Sequence, residues 1–281
     1  METLKAIILK GLPASGKSTW AKAKVREGGY TRINKDDLRD MSGEHYNKSS
    51  EQTILNLRDY AIKAALHRGV SPIIDDTNLA PKHEERIRQI VDEFVKETGI
   101  SVEVEVKFFD IDLLTAFERD DTREKRVGRH VILKMYNQFL RKKIEYKPLP
   151  NVYICDIDGT IAKMDRHPFD WARVYEDKPN EFVLEILRNL PEMVIFVSGR
   201  DAVCEEDTLK WIQKYYNRDN WKLFMRPEGN TEKDAVIKRR IYDTHIKDKY
   251  RVKAVFDDRD QTVYMWRELG LNCLQVDFGN F

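Results

Sequence analysis

The sequence predicts an α/β protein of two doubly wound parallel-sheet domains, residues 1–147 and 148–281. Three observations lead there. A glycine-rich turn, Gly11-Leu-Pro-Ala-Ser-Gly-Lys-Ser18, lies between an apolar strand candidate and a helix candidate. Strand and helix patterns then alternate along the chain, as in a parallel sheet covered on both faces. Past a proline-containing break at Glu145-Tyr-Lys-Pro-Leu-Pro150, a fresh apolar strand runs into Asp156-Ile-Asp-Gly-Thr160, and the alternation begins again.

Leu4 to Lys10 is apolar and suits a buried strand, and Thr19 to Arg26 has helical composition. The turn between them reads G-x-x-x-x-G-K-S, a phosphate-binding loop. Gly11 and Gly16 let the backbone curl so that N–H groups converge on phosphate oxygens. The helix start adds its positive dipole end. Lys17 reaches the terminal phosphates of a nucleotide, and the Ser18 hydroxyl suits Mg²⁺. Gly11, Ser15, Gly16, Lys17, Ser18 and Thr19 form the candidate ATP-binding set. The plain alternative is a strand-to-helix turn with an ordinary lysine.

Composition narrows the class. A chain of 281 residues, 41% hydrophobic and 35% charged, has the make-up of a globular protein with room for two cores. Its formal net charge of +1 excludes whole-molecule attraction to nucleic acid, so any such binding is local. Cys155, Cys204 and Cys273 are scattered and odd in number, which suits a reducing cytoplasm rather than a disulfide framework or zinc site. No segment approaches the ~20 apolar residues of a membrane span, and no signal-peptide pattern is expected.

In the first half, Tyr30 to Ile33 and Val70 to Asp75 read as strands, 50–68 and 81–98 as helices, and Ser101 to Phe109 as a half-exposed strand. Ligands of such sheets lie beyond the carboxyl ends of the strands. Asp36, Arg39, Asp76 and Thr77 fall there beside the glycine-rich turn. Asp36 can take a proton from an attacking hydroxyl while Arg39 holds an acceptor phosphate. Asp76 suits Mg²⁺ or acceptor contacts. The alternatives are helix capping by Asp36 or Asp37 and a turn role for Asp75 or Asp76. From Arg119 to Lys143, nine basic residues stand against three acidic ones. Arg119 and Arg123, four apart, would share a helix face and suit a lid over the donor phosphates. Arg141 to Lys143 read as a solvated face.

In the second half, Asn151 to Cys155 is a strand that ends in D-x-D-G-T. One carboxylate can attack phosphorus and form an aspartyl-phosphate. Its neighbour two residues on can protonate the leaving oxygen and then activate water. Two adjacent carboxylates facing a phosphate call for Mg²⁺; a calcium-binding or capping loop is the alternative. Met193 to Val197 is a strand ending in Ser198-Gly-Arg200, a candidate phosphate clamp. Lys233, Asp234 and Lys238 lie on a helix expected over 230–243. Arg251 to Phe256 ends in Asp257-Asp-Arg259, a second acidic strand end. Further helices are expected over 179–190, 203–216 and 260–269. Only about thirty residues separate Thr160 from Met193. That is room for a small cap, so a polymer end can enter. His167-Pro-Phe-Asp-Trp171 offers rings to stack on a terminal base, or to pack a flap.

On these motifs residues 151–281 resemble the haloacid dehalogenase phosphohydrolase superfamily, and residues 1–147 the P-loop kinases of the adenylate kinase group. Together, in this order, they resemble the bacteriophage-type polynucleotide kinase/phosphatases. The resemblance implies that Asp36 is the general base on a 5′-hydroxyl and that Arg39 and Thr77 hold the neighbouring phosphate. It makes Arg123 the lid arginine with Arg119 beside it, although Arg126 or Arg129 can take that place. In the phosphatase it implies Asp156 as nucleophile, Asp158 as acid/base, and Arg166, Ser198, Arg200, Asp234, Lys238 and Arg259 around the phosphate. Ser18, Asp156, Asp158, Asp257 and Asp258 are its candidate metal ligands, with Asp257 and Asp258 as alternatives. The implied activity adds phosphate from ATP to 5′-hydroxyl ends of RNA or DNA and removes 3′-phosphates and 2′,3′-cyclic phosphates. The implied partners are a ligase and further copies of the chain. A fused metabolite kinase and phosphatase is the enzymatic rival, and a nucleic-acid end-binding scaffold the non-enzymatic one.

Overall fold

The first sheet is built outward from β1 (Leu4–Lys10), whose Ala6, Ile7, Ile8 and Leu9 are all buried. Along the chain follow α1 (Lys17–Arg26), β2 (Tyr30–Ile33), α2 (Lys35–Ser42), α3 (Glu51–His67), β3 (Ser71–Ile74), α4 (Pro81–Thr98), β4 (Val102–Phe108), α5 (Leu113–Asp121) and α6 (Arg129–Phe139). The structure, a computed structural model, describes residues 3–43, 50–142, 148–167 and 169–279. Lys143 and the Glu145–Lys147 part of the expected linker lie outside the described residues. The chain divides into two compact units, Met1–Leu140 and Arg141–Phe281.

Among the described residues of the first unit the sheet order is β2-β3-β1-β4, and every pairing is parallel. Alternation along β1 divides the core. Ala6 and Ile8 pack with Ile62, Leu66, Ile87, Ile90 and Phe94 of α3 and α4. Ile7 and Leu9 pack with Ile73 and with Ala21 of α1. Helices therefore cover both faces, which is the physical content of a doubly wound sheet. β4 is an edge strand with a broken alternation of half-buried and exposed residues. Two elements differ from expectation. α2 is a full helix, and its N-cap is Asn34, whose side chain accepts from the Asp36 and Asp37 N–H groups. Neither aspartate caps it. α5 ends at Asp121, so Arg123 lies beyond the helix and shares no helical face with Arg119.

The second unit contains β5 (Asn151–Cys155), β6 (Ala162–Lys163), β7 (Lys178–Pro179), α7 (Glu181–Arg188), β8 (Met193–Asp201), α8 (Glu205–Tyr216), β9 (Trp221–Arg226), α9 (Asp234–Ile241), β10 (Arg251–Asp257), α10 (Asp260–Glu268) and β11 (Cys273–Gln275). The parallel order is β11-β10-β5-β8-β9. The chain steps from β5 out to β9 and then crosses back to β10, so the strand order reverses between β5 and β10. That switch point opens a crevice at the carboxyl ends, where Asp156 and Asp257 stand. Cys155, Val194 and Phe196 pack against Leu184, Leu187 and Trp211 on one face. Ile154, Ile195 and Val255 pack against Ile237 and Trp266 on the other.

β8 continues through Ser198-Gly-Arg200 instead of ending before it. α9 starts at Asp234, not at 230, because Arg226 Nη1 donates to the Asn230 and Glu232 carbonyls and holds that stretch as a loop. β9, β11 and the antiparallel β6–β7 pair are additions to the sequence reading. The β6–β7 pair and the 3₁₀ turn Trp171–Glu176 form a small flap between β5 and α7. Among the described residues no helix is long and apolar enough to cross a membrane.

Candidate active sites

The glycine-rich turn closes over its own lysine. Gly11 has φ 146°, and a Cβ there would lie 2.6 Å from the Phe109 carbonyl, so no larger residue fits. Gly16, at φ 95°, precedes α1. Lys17 is buried. Its ammonium donates to the Gly11 carbonyl at 3.0 Å, the Leu12 carbonyl at 2.6 Å and Ser15 Oγ at 3.2 Å. Burial lowers its pKa to about 8; Arg123 pushes the same way, and Asp75 and Asp76 oppose. Ser18 and Thr19 are exposed on the first turn of α1.

The carboxyl ends of β2 and β3 supply the rest. Asp36 is exposed, and Arg39 bridges it at 2.5 Å to Glu51 at 2.6 Å. Glu51 has no sequence signal of its own beyond starting a helix. Asp75 pairs with Arg32 of β2 at 2.5 Å, and Asp76 accepts from the Lys35 N–H at 3.0 Å. Each keeps one buried carboxylate oxygen without a hydrogen-bond partner, Asp75 Oδ1 and Asp76 Oδ2. Burial raises the Asp76 pKa. Anionic oxygens left bare beside the turn fit a divalent cation, as does the neighbouring Ser18 hydroxyl. Thr77 is half-buried, and its carbonyl accepts from the Gly11 N–H at 3.1 Å.

The basic stretch after α5 takes its course from Asp120. This carboxylate, 0% exposed, accepts from the Val127 and Gly128 N–H groups at 3.3 and 2.8 Å and pairs with Arg123 at 3.3 Å. The clamp ends the helix and turns 122–128 back, and it leaves Arg123 within electrostatic range of Lys17. Arg119 and Arg126 are exposed. Arg129 is held by Asp121 at 2.6 Å and lies over the Phe117 ring.

In the second unit Lys238, 1% exposed, stands among three carboxylates: Asp156 at 2.8 Å, Asp257 at 3.0 Å and Asp234 at 3.2 Å. Burial works against its ammonium, but Asp156, Asp234 and Asp257 outweigh it and hold the pKa well above the ordinary lysine value. Burial drives the Asp156 carboxyl well upward, with Lys238 pulling the other way. Asp257 is saturated. It accepts from Lys238, from Trp266 Nε1 at 3.0 Å, from the Arg259 N–H at 3.3 Å and from Thr262. The Asp258 carboxylate takes a long contact from Thr160 at 3.4 Å, and burial followed by Asp257 pushes its pKa up to about 6. Gly159, at φ 80°, leaves the space that the Asp258 carboxylate fills.

Asp156, Asp257 and Asp258 offer oxygens that all lie within 4.8 Å of one another. Three buried carboxylates facing a single lysine fit Mg²⁺. The Asp158 carboxylate lies outside this group. It is held by Arg200 Nε at 2.9 Å and Nη2 at 2.6 Å. Arg200 also reaches Asp177 at 2.6 Å, and Arg166 grips Asp177 through two bonds of 2.9 and 2.8 Å. Asp177, 1% exposed at its side chain, is the residue that sequence reasoning missed. Ser198 Oγ is buried and accepts from the Arg200 N–H, and the Arg166 and Arg200 guanidiniums are spent on carboxylates. A buried guanidinium demands such partners, so these groups support Asp158 instead of lining the cleft. The cleft, about 600 Å³, is bordered by Asp156, Asp158, Asp234, Asp258 and Arg259.

Residues 150–281 match the model of the polynucleotide kinase PNKP phosphatase domain, and residues 7–141 match an AAA domain. A putative bifunctional polynucleotide kinase/RNA ligase of Autographa californica nuclear polyhedrosis virus is 33% identical over 293 residues, covering 94% of this chain and 41% of that protein. An L-seryl-tRNA(Sec) kinase of Methanococcus maripaludis is 29% identical, covering 65% of this chain and 66% of that one. A chain in the structure of the Pnkp1/Rnl/Hen1 RNA repair complex is 28% identical over 100% of this chain and 98% of its own, with a TM-score of 0.47. This chain thus spans less than two thirds of the curated relatives it matches. The second unit is thus similar to the phosphatase domain of polynucleotide kinase PNKP, and the first to an AAA domain that carries the P-loop.

Proposed function

We propose that the chain heals nucleic-acid ends. It transfers the γ-phosphate of ATP to 5′-hydroxyl termini of RNA or DNA and hydrolyses 3′-phosphate and 2′,3′-cyclic phosphate termini. The observation that supports this reading is the placement of Asp156, held by the buried Lys238, and of Asp258 at a cleft lined in part by the short flap, in a chain that also carries a P-loop unit.

In the kinase unit, residues 1–147, Lys17 swings from its loop carbonyls to the ATP phosphates, which Gly11, Ser15, Gly16 and Thr19 surround. Asp36 takes the proton of the 5′-hydroxyl as that oxygen attacks the γ-phosphorus and the bond to ADP breaks. Arg39, oriented by Glu51, and Thr77 hold the acceptor phosphate. Arg123 covers the donor phosphates, with Arg119 at its rim. Ser18 and the bare oxygens of Asp75 and Asp76 would hold Mg²⁺, which when bound would neutralise phosphate charge.

In the phosphatase unit, residues 148–281, Asp156 attacks the 3′-phosphorus while the bond to the 3′-oxygen breaks, and Asp158 protonates that oxygen. Asp158 then takes a proton from the water that cleaves the aspartyl-phosphate. Arg200, braced with Arg166 by Asp177, orients Asp158. Lys238 and Asp234 keep Asp156 placed, and Arg259 meets the substrate at the rim. Asp156 and Asp258 would hold Mg²⁺, which when bound would offset the charge on the phosphoryl oxygens; Asp257 orients this set. The enzyme works ahead of a ligase, as a homo-oligomer, in the cytoplasm.

A paired assay on 5′-hydroxyl and 3′-phosphate ends of RNA and DNA oligonucleotides, against the matching mononucleotides, tests the reading. We expect oligonucleotide ends to be preferred at both sites. A preference for free small molecules overturns it in favour of the fused metabolite enzymes.

A further inference from the structure

The cleft at Asp156 is lined by two unlike groups of residues. One is polar, made by Arg226 and the loop through Asn230, Thr231 and Lys233. The other is aromatic, made by Phe169 and Trp171 of the flap. Phe169 is not the core of that flap. Val174 is, at 0% exposure, whereas Phe169 is 73% exposed. Trp171 meets the Phe169 ring edge-on, with centroids 5.8 Å apart and planes at 87°. His167 lies 5.8 Å away at 45°. A large ring left in water but braced by two neighbours is oriented without being buried.

We propose that Phe169, braced by Trp171, is the stacking platform for the base of the 3′-terminal nucleotide. The inference rests on the end-healing reading and names what the second site grips besides phosphate. A terminal nucleotide carries its phosphate and its base on one sugar, so a group anchored at Asp156 brings a base into the same cleft. Every base has a π-face, and stacking therefore accepts any terminal base, as an end-processing enzyme requires. The exposed Lys233, which lines the same cleft, puts positive charge beside the polyanion.

The test compares two 3′-phosphorylated oligonucleotides of equal length, one ending in an ordinary nucleotide and one in a tetrahydrofuran abasic residue. For the unaltered enzyme we expect KM to be lower for the base-bearing end by roughly ten-fold. Phe169→Ala should raise KM for that end to the abasic value, leave kcat unchanged and leave the abasic substrate unaffected. Phe169→Tyr should restore the preference. An unchanged KM in Phe169→Ala overturns the proposal. So does an equal loss on both substrates, which marks a packing role, or the absence of an abasic penalty in the unaltered enzyme. Dephosphorylation of small esters but of neither oligonucleotide brings down the end-healing reading, and this inference with it.

Discussion

Lys17 shows how one buried side chain sets a pH response. Its amine, lowered to about 8 by burial, is charged below that pH and loses its proton as pH rises through it, well before an ordinary lysine does. In folding the sign is unfavourable below about 8, because the unfolded chain holds that proton more tightly, and the penalty fades above it. In the proposed function the ammonium meets the ATP phosphates, so ATP affinity should fall by up to about ten-fold per pH step above 8, read by titration calorimetry from pH 7 to 9.5. A flat profile contradicts this. Asp177 is the corresponding residue of the second unit. Asp177→Ala leaves the buried Arg166 and Arg200 without their shared anion, so stability should drop by about 3–5 kcal/mol, and 3′-phosphatase activity should fall while 5′-kinase activity persists. An unchanged denaturation midpoint rules out the clamp.

The lid is a matter of elements. The spacing of Arg119 and Arg123 suggested one helical face, yet α5 stops at Asp121 because the Asp120 carboxylate captures the amides of Val127 and Gly128. Nothing periodic announces a carboxylate that bonds seven and eight residues onward. The consequence is discriminating. Arg123, coupled electrostatically to Lys17, should cost on the order of 10³ in kinase kcat on replacement by alanine. Arg129, an exposed partner of Asp121, should cost no more than about two-fold. Comparable losses from both would remove Arg123 from the donor site. The same contrast separates the strands. β1, β5 and the start of β8 were legible as apolar runs, whereas β9 and β11 are edge strands whose residues are mostly half-buried or exposed and lack a clean period.

At the scale of the molecule, each unit keeps its own core, and the proposed function gives each its own phosphate site. Lys17→Ala should therefore abolish 5′ phosphorylation and spare 3′ dephosphorylation, and Asp156→Asn should do the reverse. Loss of both activities from either change in a folded protein contradicts independent sites. The net charge of +1 places any nucleic-acid affinity in local features such as the 119–129 stretch and the cleft wall at Lys233.

By itself the sequence determined the two phosphate motifs, the strand-to-helix context of each and the order of the units. These are local: a glycine turn, a D-x-D pair and a repeating apolar period need only neighbouring residues to be visible. Tertiary structure alone decided which charges meet. Glu51 was bound to Arg39, Asp177 to Arg166 and Arg200, Lys238 to three carboxylates, and Arg123 was released from α5. Those pairings join residues between three and 82 positions apart. They arise where sheet order and loop closure bring strand ends together, and a buried charge then takes whichever partner the fold has placed within reach.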